Sequence, residues 1–331
     1  MPTTRPARAL GALALIAAVA TGCAADSGAT PGETGPTRVF AADNGEITIP
    51  ADPKRVVATG YAVPVLIEAD AALVGIAEWS RGLEMMTGED RATYDRLAKV
   101  AGDTTTETNY EAIAGVKPDL IVISVPKPVL ADIDMKRLES IAPVVAISPS
   151  IPAAWRDLSR RQADAAGRLG SYESAKTAYE QKAAGLADKY RPVLDGLKFG
   201  HLGAYGELAK GTFQREFAGS WGTNIATDIG VDYYGQVKHK AGGSRDVGEY
   251  PSIEELPASF AEAKAITYTV ENDGSVSEPV RYVLDSELWK NLPAVKAGKV
   301  FPLRYTEAAT YASAQQTLDD VDKALAPLLA R

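Results

Sequence analysis

Aromatic and cationic residues stand at the ends of short apolar runs in this sequence, a placement suited to gripping a molecule rather than transforming it. Tyr61 follows the run at residues 56–59, Trp79 and Arg81 follow 73–77, and Pro126 and Lys127 follow 120–124. In the second half the corresponding positions are Tyr205, Trp221, Tyr233, Tyr234 and Arg245, with Arg304 and Tyr305 after the last run. Fourteen Tyr and four Trp against six Phe weight the aromatic surface toward rings with a polar edge. Such rings, with one or two guanidinium groups, suit a bulky organic ligand that presents apolar edges and oxygen acceptors. Trp155 and Trp289 lie in helical apolar patterns and read as core. Lys238-His239-Lys240, beside Tyr233 and Tyr234, reads as a solvated loop.

Catalytic chemistry is poorly provided for. A nucleophilic Ser needs a His and a supporting acid, and the chain has only His201 and His239. Gly219-Ser220-Trp221-Gly222 lacks the glycine two residues before Ser that a nucleophile elbow requires. Zinc sites draw on His and Cys, and two His with one Cys do not make a protein-only metal centre. The expectation is therefore no catalytic step and no resident cofactor, with any metal arriving already chelated. A single Tyr or His suffices as an axial haem ligand, so haem stays open. Lys and Arg number 35 against 43 Asp and Glu, a balance of −8 with no basic tract, which argues against nucleic acid.

The one cysteine, Cys23, fixes the expected compartment. Arg5 and Arg8 precede an uncharged run at residues 9–20, followed by Thr21, Gly22 and Cys23. A basic start, an apolar run and small residues make a secretory signal at 1–22. The run is too short for a membrane span, which takes roughly 20 apolar residues. Its end resembles the lipobox of bacterial lipoproteins, with Ala20 where that motif usually has Leu. The resemblance implies an acylated Cys23 as the first mature residue and a chain anchored by lipid to the outer face of the cell membrane. Residues 23–37, rich in Gly, Ala, Ser, Thr and Pro, read as a flexible tether.

The remaining chain exceeds the usual limit for one hydrophobic core, so two lobes are expected. Strands are predicted at 47–50, 56–59, 73–77, 120–124 and 144–148, with helices at 64–69, 89–99, 110–115 and 126–141 between them. That alternation predicts α/β lobes with parallel-rich sheets. A helical stretch covers 153–194, interrupted near Gly170 and ended near Pro192. Strands return at 199–205, 212–217 and 265–270, and a last helix runs over 308–329. The expected organisation is a first lobe at 38–152, a linking helix at 153–171 and a second lobe at 172–331. Ligands of such sheets bind beyond the carboxyl ends of the strands, in the crevice between lobes.

Four stretches in order resemble the substrate-binding lipoproteins of ferric siderophore, haem and cobalamin ABC importers. They are Asp52-Pro53-Lys54-Arg55-Val56-Val57; Asn109-Tyr110-Glu111-Ala112-Ile113-Ala114 with Val116-Lys117-Pro118-Asp119-Leu120-Ile121-Val122; the linking helix with Trp155, Ala165 and Leu169-Gly170; and Leu292-Pro293-Ala294-Val295-Lys296-Ala297-Gly298-Lys299-Val300. The resemblance implies a rigid linking helix, a monomer, and delivery of an iron(III)-siderophore, hydroxamate type favoured, to an ABC permease and its ATPase. Haem or cobalamin is the alternative cargo. Glu111 matches the family glutamate that pairs with permease arginines, and Glu216, with Asp228 as rival, is the expected partner in the second lobe. Convergence of several of Arg81, Lys127, Arg245 and Arg304 favours a negatively charged chelate; otherwise a neutral or cationic hydroxamate is favoured.

Overall fold

The computed structural model describes residues 35–330; the signal segment, Cys23 and most of the tether lie outside the described residues. A hairpin of β1 (Thr37–Ala42) and β2 (Gly45–Pro50) opens the fold. Then come β3 (Val56–Gly60), β4 (Leu73–Ala77), β5 (Lys99–Ala101), β6 (Leu120–Ser124) and β7 (Val144–Ala146). These five pair in parallel in the order β5-β4-β3-β6-β7. The sheet is parallel because its strands are apolar on both faces. Leu120 and Val122 enter one cluster with Val56, Ala58 and Val145, whereas Ile121 and Ile123 enter the opposite one with Val57 and Val144. Successive side chains of a strand point to opposite faces, so both faces must be covered by helices.

The second sheet comprises β8 (Lys198–Leu202), β9 (Arg215–Glu216), β10 (Asp232–Tyr233), β11 (Gly248–Glu249), β12 (Ala265–Thr269) and β13 (Val300–Leu303), in the order β11-β9-β8-β12-β13. One half of β8 pairs in parallel with β10, and its other half pairs antiparallel with β9. β12 and β13 continue the sheet in parallel. Two lobes of α/β type, as the sequence implies, thus follow one another along the chain.

Helices Trp155–Ala165 and Leu169–Leu194 stand between the sheets. The break falls at Ala166, Gly167 and Arg168, with Gly167 at φ +70°, rather than at Gly170, which lies inside the second helix. Pro192 is also inside that helix, two residues before its end. The first of these helices feeds two cores: Leu158 and Ala165 pack with the first sheet, while Trp155 and Ala163 pack with Phe199, Tyr179 and Tyr311. The segment expected as one helix over 126–141 is instead a short turn, Lys127–Asp132, and a helix, Met135–Glu139. Pro128 has no N–H to donate, and the Asp134 side chain accepts the Arg137 N–H at 3.1 Å and starts a new helix. Among the described residues no helix is long and apolar enough to cross a membrane.

Candidate functional site: a cleft between the lobes

The site begins at a turn that only glycine allows. Gly60 ends β3 at φ +60°, and a Cβ there would collide with the carbonyl of Ser124. Tyr61 then starts helix Ala62–Glu68 with its N–H on the same carbonyl at 2.8 Å. Its ring stands 5.0 Å from Trp79, edge to face, and Arg81 lies 5.1 Å from both ring centroids while bonding the Tyr61 hydroxyl at 2.8 Å. Across from them, Trp221 of the second lobe lies nearly parallel to Tyr61, with centroids 6.4 Å apart and planes at 9°.

Between these walls lies a cleft of about 610 Å³. Tyr61, Arg81, Lys127, Tyr205, Trp221 and Arg245 all line it, so the structure brings these sequence-predicted residues together. Trp79 is close behind, 7% exposed, lining a smaller adjoining cavity. Trp155 is buried as core and still borders the cleft, and Trp289 is core. Residues 241–245 form one rim, next to the exposed Lys238, which pairs with Glu255 at 2.5 Å.

Glu307 escaped the sequence reading. The Tyr205 hydroxyl donates to it at 2.5 Å, and the Arg81 guanidinium stands 3.9 Å away, so Glu307 links an N-terminal cation to a C-terminal phenol. Burial, then the Glu307 charge, pushes the Tyr205 phenol up, and burial raises Tyr61 despite Arg81. Both phenols therefore stay protonated as donors. The described lining residues include three cations, Arg81, Lys127 and Arg245, and one carboxylate, Glu307. Among the described residues no group of three or more His, Cys, Asp and Glu side chains is placed to hold a metal ion.

Other expected lining residues turn elsewhere. Tyr233 is buried, its hydroxyl 2.9 Å from that of Thr267. Tyr234 donates to the Ser259 carbonyl at 2.8 Å and packs beside Arg215. Arg304 is held by Asp320 of helix Tyr311–Leu325, with bonds of 2.7 and 2.8 Å, and Tyr305, at φ +55°, packs into the second-lobe core. A residue that follows a strand can leave on either face, and the sequence does not say which.

The carboxylates expected to dock the permease also separate. Glu111 stands in the first turn of helix Tyr110–Gly115, capped by Asn109, with its side chain 91% exposed and Arg137 3.6 Å away. Glu216 is corrected: it is 2% exposed inside the second lobe and offers no surface to a partner. Asp228 is engaged by Arg156 and Tyr179, both at 2.5 Å. The second lobe has a closer counterpart to Glu111. β8, β12 and β13 neighbour one another as β3, β6 and β7 do. Asn109 starts the segment leading into β6, and Ser252, bridged to Thr212, starts the segment leading into β12. Two residues beyond Ser252 is Glu254, exposed and bonded to the Ser252 hydroxyl, which lowers its pKa. Ser252-Ile253-Glu254 ahead of an apolar strand repeats Asn109-Tyr110-Glu111, and that was the available signal.

Comparison with known proteins agrees with this geometry. A sequence model of the family described as periplasmic binding protein matches residues 58–305. The iron(3+)-hydroxamate-binding protein YxeB of Bacillus subtilis (strain 168) is 26% identical over 269 residues, covering 80% of this chain and 77% of its own. The iron(3+)-hydroxamate-binding protein FhuD of the same organism is 27% identical over 298 residues, covering 88% of each. Among solved structures, the siderophore periplasmic binding protein from the fuscachelin gene cluster of Thermobifida fusca superposes with a TM-score of 0.66 at 26% identity, covering 83% of this chain and 98% of that one.

Proposed function

Because this chain belongs to the periplasmic binding protein family, we propose that it captures a ferric siderophore outside the cytoplasm and hands it, unaltered, to an ABC permease driven by its ATPase. The observation that carries this reading is the cleft itself. Its volume of about 610 Å³ falls within the ~300–1,000 Å³ usual for organic ligands. Its walls present the faces and donors that a metal wrapped in oxygen chelators needs: the Tyr61 and Trp221 rings, protonated phenols and three cations. The chelate brings its own iron ligands, so the site supplies shape and hydrogen bonds and no cofactor.

The names of the two Bacillus relatives support a hydroxamate chelate. Convergence of Arg81, Lys127 and Arg245 supports a second reading, in which the chelate carries negative charge. Glu111 and Glu254 would meet permease arginines, one from each lobe. Cys23 would hold a monomeric protein at the outer face of the membrane through its lipid.

The test is quenching of tryptophan emission on titration with a ferric trihydroxamate, a ferric tris-catecholate, haem and cobalamin. Quenching by the trihydroxamate is the expected result, and preference for the catecholate establishes the anionic reading. Silence with every ferric chelate and a response to haem or cobalamin would overturn the siderophore assignment.

A further inference from the structure

Behind Trp221 the second lobe keeps a buried acid that ligand capture, as described so far, does not use. Glu216 lies on β9, and its Oε2 accepts the Gly222 N–H at 2.8 Å. The Ser220 side chain, just before Trp221, also favours the ionised form of this carboxyl. Glu216 thus grips the chain immediately after Trp221. From below, the imidazole of His201 fills the space under Gly222 so completely that a Cβ at Gly222 would run into the ring. His201 is fixed in turn by the hydroxyls of Thr267 at 2.7 Å and Thr269 at 3.1 Å. The loop is closed by Thr223, whose hydroxyl donates to the Phe217 carbonyl at 2.7 Å.

Neighbouring charges do not explain a carboxyl in this place. His201 Nε2 stands 3.5 Å from Glu216 Oε2, yet burial first, and Arg215 second, holds the imidazole down to about 3, so it is neutral and the two make no ion pair. Arg215, next in the strand, turns its guanidinium to the carbonyls of His201, Glu216, Ser259 and Tyr234. The remaining titratable groups that sense Glu216 are Glu307 from the loop after β13, Tyr233 from β10, and Tyr205 and Tyr250. A buried polar group is expensive unless it is bonded, and here its bonds go to the loop that carries one wall of the cleft.

We infer that Glu216 is the positioning residue of the second-lobe wall: by holding Gly222 it sets where the Trp221 ring stands and hence the gap to Tyr61. This rests on the reading of the Tyr61–Trp221 gap as the ligand seat, but the ring position is measurable without ligand. A consequence is that the wall senses protons. Burial pushes the Glu216 carboxyl up to about 7. An ionised acceptor bonds a backbone N–H more strongly than its neutral form, so the grip tightens as pH rises through that point.

The experiment incorporates 5-fluorotryptophan into the full chain and identifies the Trp221 fluorine resonance by its loss in Trp221→Phe. In the wild type that resonance is expected to move with a midpoint near pH 7, while Glu216→Gln, which keeps an acceptor, holds one position at every pH. His239 is retained in Glu216→Gln, so a shift that survived there would assign the titration elsewhere and overturn the inference. Glu216→Ala should displace or broaden the resonance and weaken binding of a ferric trihydroxamate about tenfold, the scale of one lost hydrogen bond to a charged group. A wild-type resonance that ignores pH from 5 to 9 would also overturn it, and that measurement needs no variant of Glu216 to fold. If no ferric chelate binds while the resonance behaves as expected, the ligand reading fails and the positioning role stands.

Discussion

The two sheets border one cleft but are built of different material. In the first lobe the buried strand residues are almost all aliphatic, with Ser124 the polar exception at the end of β6. In the second lobe His201, Gln214, Arg215, Glu216 and Thr267 lie on or beside the strands, each under 5% exposed. Aliphatic packing holds by volume and tolerates small changes of shape. A buried polar network holds by direction, and it fails sharply when one member goes. The cleft thus has one wall fixed by close packing and another fixed by oriented hydrogen bonds.

The largest test of that contrast is Arg215→Ala. It strips donors from several carbonyls, each worth ~1–3 kcal/mol if left unpaired, so a loss of at least about 3 kcal/mol is expected in urea denaturation. Ile123→Val in the first sheet should lose only ~0.5–1.5 kcal/mol. Equal losses would break the comparison. Next in size is ligand affinity. Trp221→Ala and Tyr61→Ala should each weaken ferric chelate binding about tenfold or more, since aromatic contacts contribute ~0.5–1.5 kcal/mol beyond the area they bury.

A smaller effect separates the two buried titrating groups. Glu216 is held up at about 7 against an ordinary 4.5, so the folded protein binds its proton more tightly. Its contribution to stability is complete below pH 4.5 and is lost as pH rises to 7. Glu216→Gln should therefore gain stability relative to wild type across that window and keep the full gain above pH 7. His201, held at about 3 against 6.5, carries the opposite sign: its contribution is complete above pH 6.5 and is lost as pH falls toward 3. Chemical denaturation at a series of pH values reads both. The smallest effect on the isolated protein is expected for Glu111→Ala with Glu254→Ala, which should leave chelate affinity and stability unchanged while iron uptake by cells falls. A loss of affinity would move either carboxylate out of the docking role.

Legibility followed the same divide. β6 was readable residue for residue, because an apolar run after Lys117-Pro118-Asp119 has no competing reading. The two-residue strands β10 and β11 were not, and β9 is only two residues of the strand predicted at 212–217, since strands that short are made by their neighbours rather than by their own sequence. That is why Glu216 read as a surface acid: only the pairing of β9 with β8 and β11 turns it inward. Tyr61, Arg81 and Trp221 were legible from their place at strand ends. Tyr233 and Arg304 had the same credentials and failed because one residue along a strand reverses the face. Glu307 has no local motif at all and becomes visible only through Tyr205 and Arg81.

The helix Trp155–Ala165 belongs to two cores at once. A chain severed at Gly167 would therefore yield fragments of unequal fate, the first carrying Trp155 and Ala163 as an uncovered apolar strip and the second missing the side chains that seal Tyr179 and Tyr311. Reassembly of such fragments would report on encounter between them, which makes the break at Ala166, Gly167 and Arg168 the natural place to divide this protein into a complementing pair.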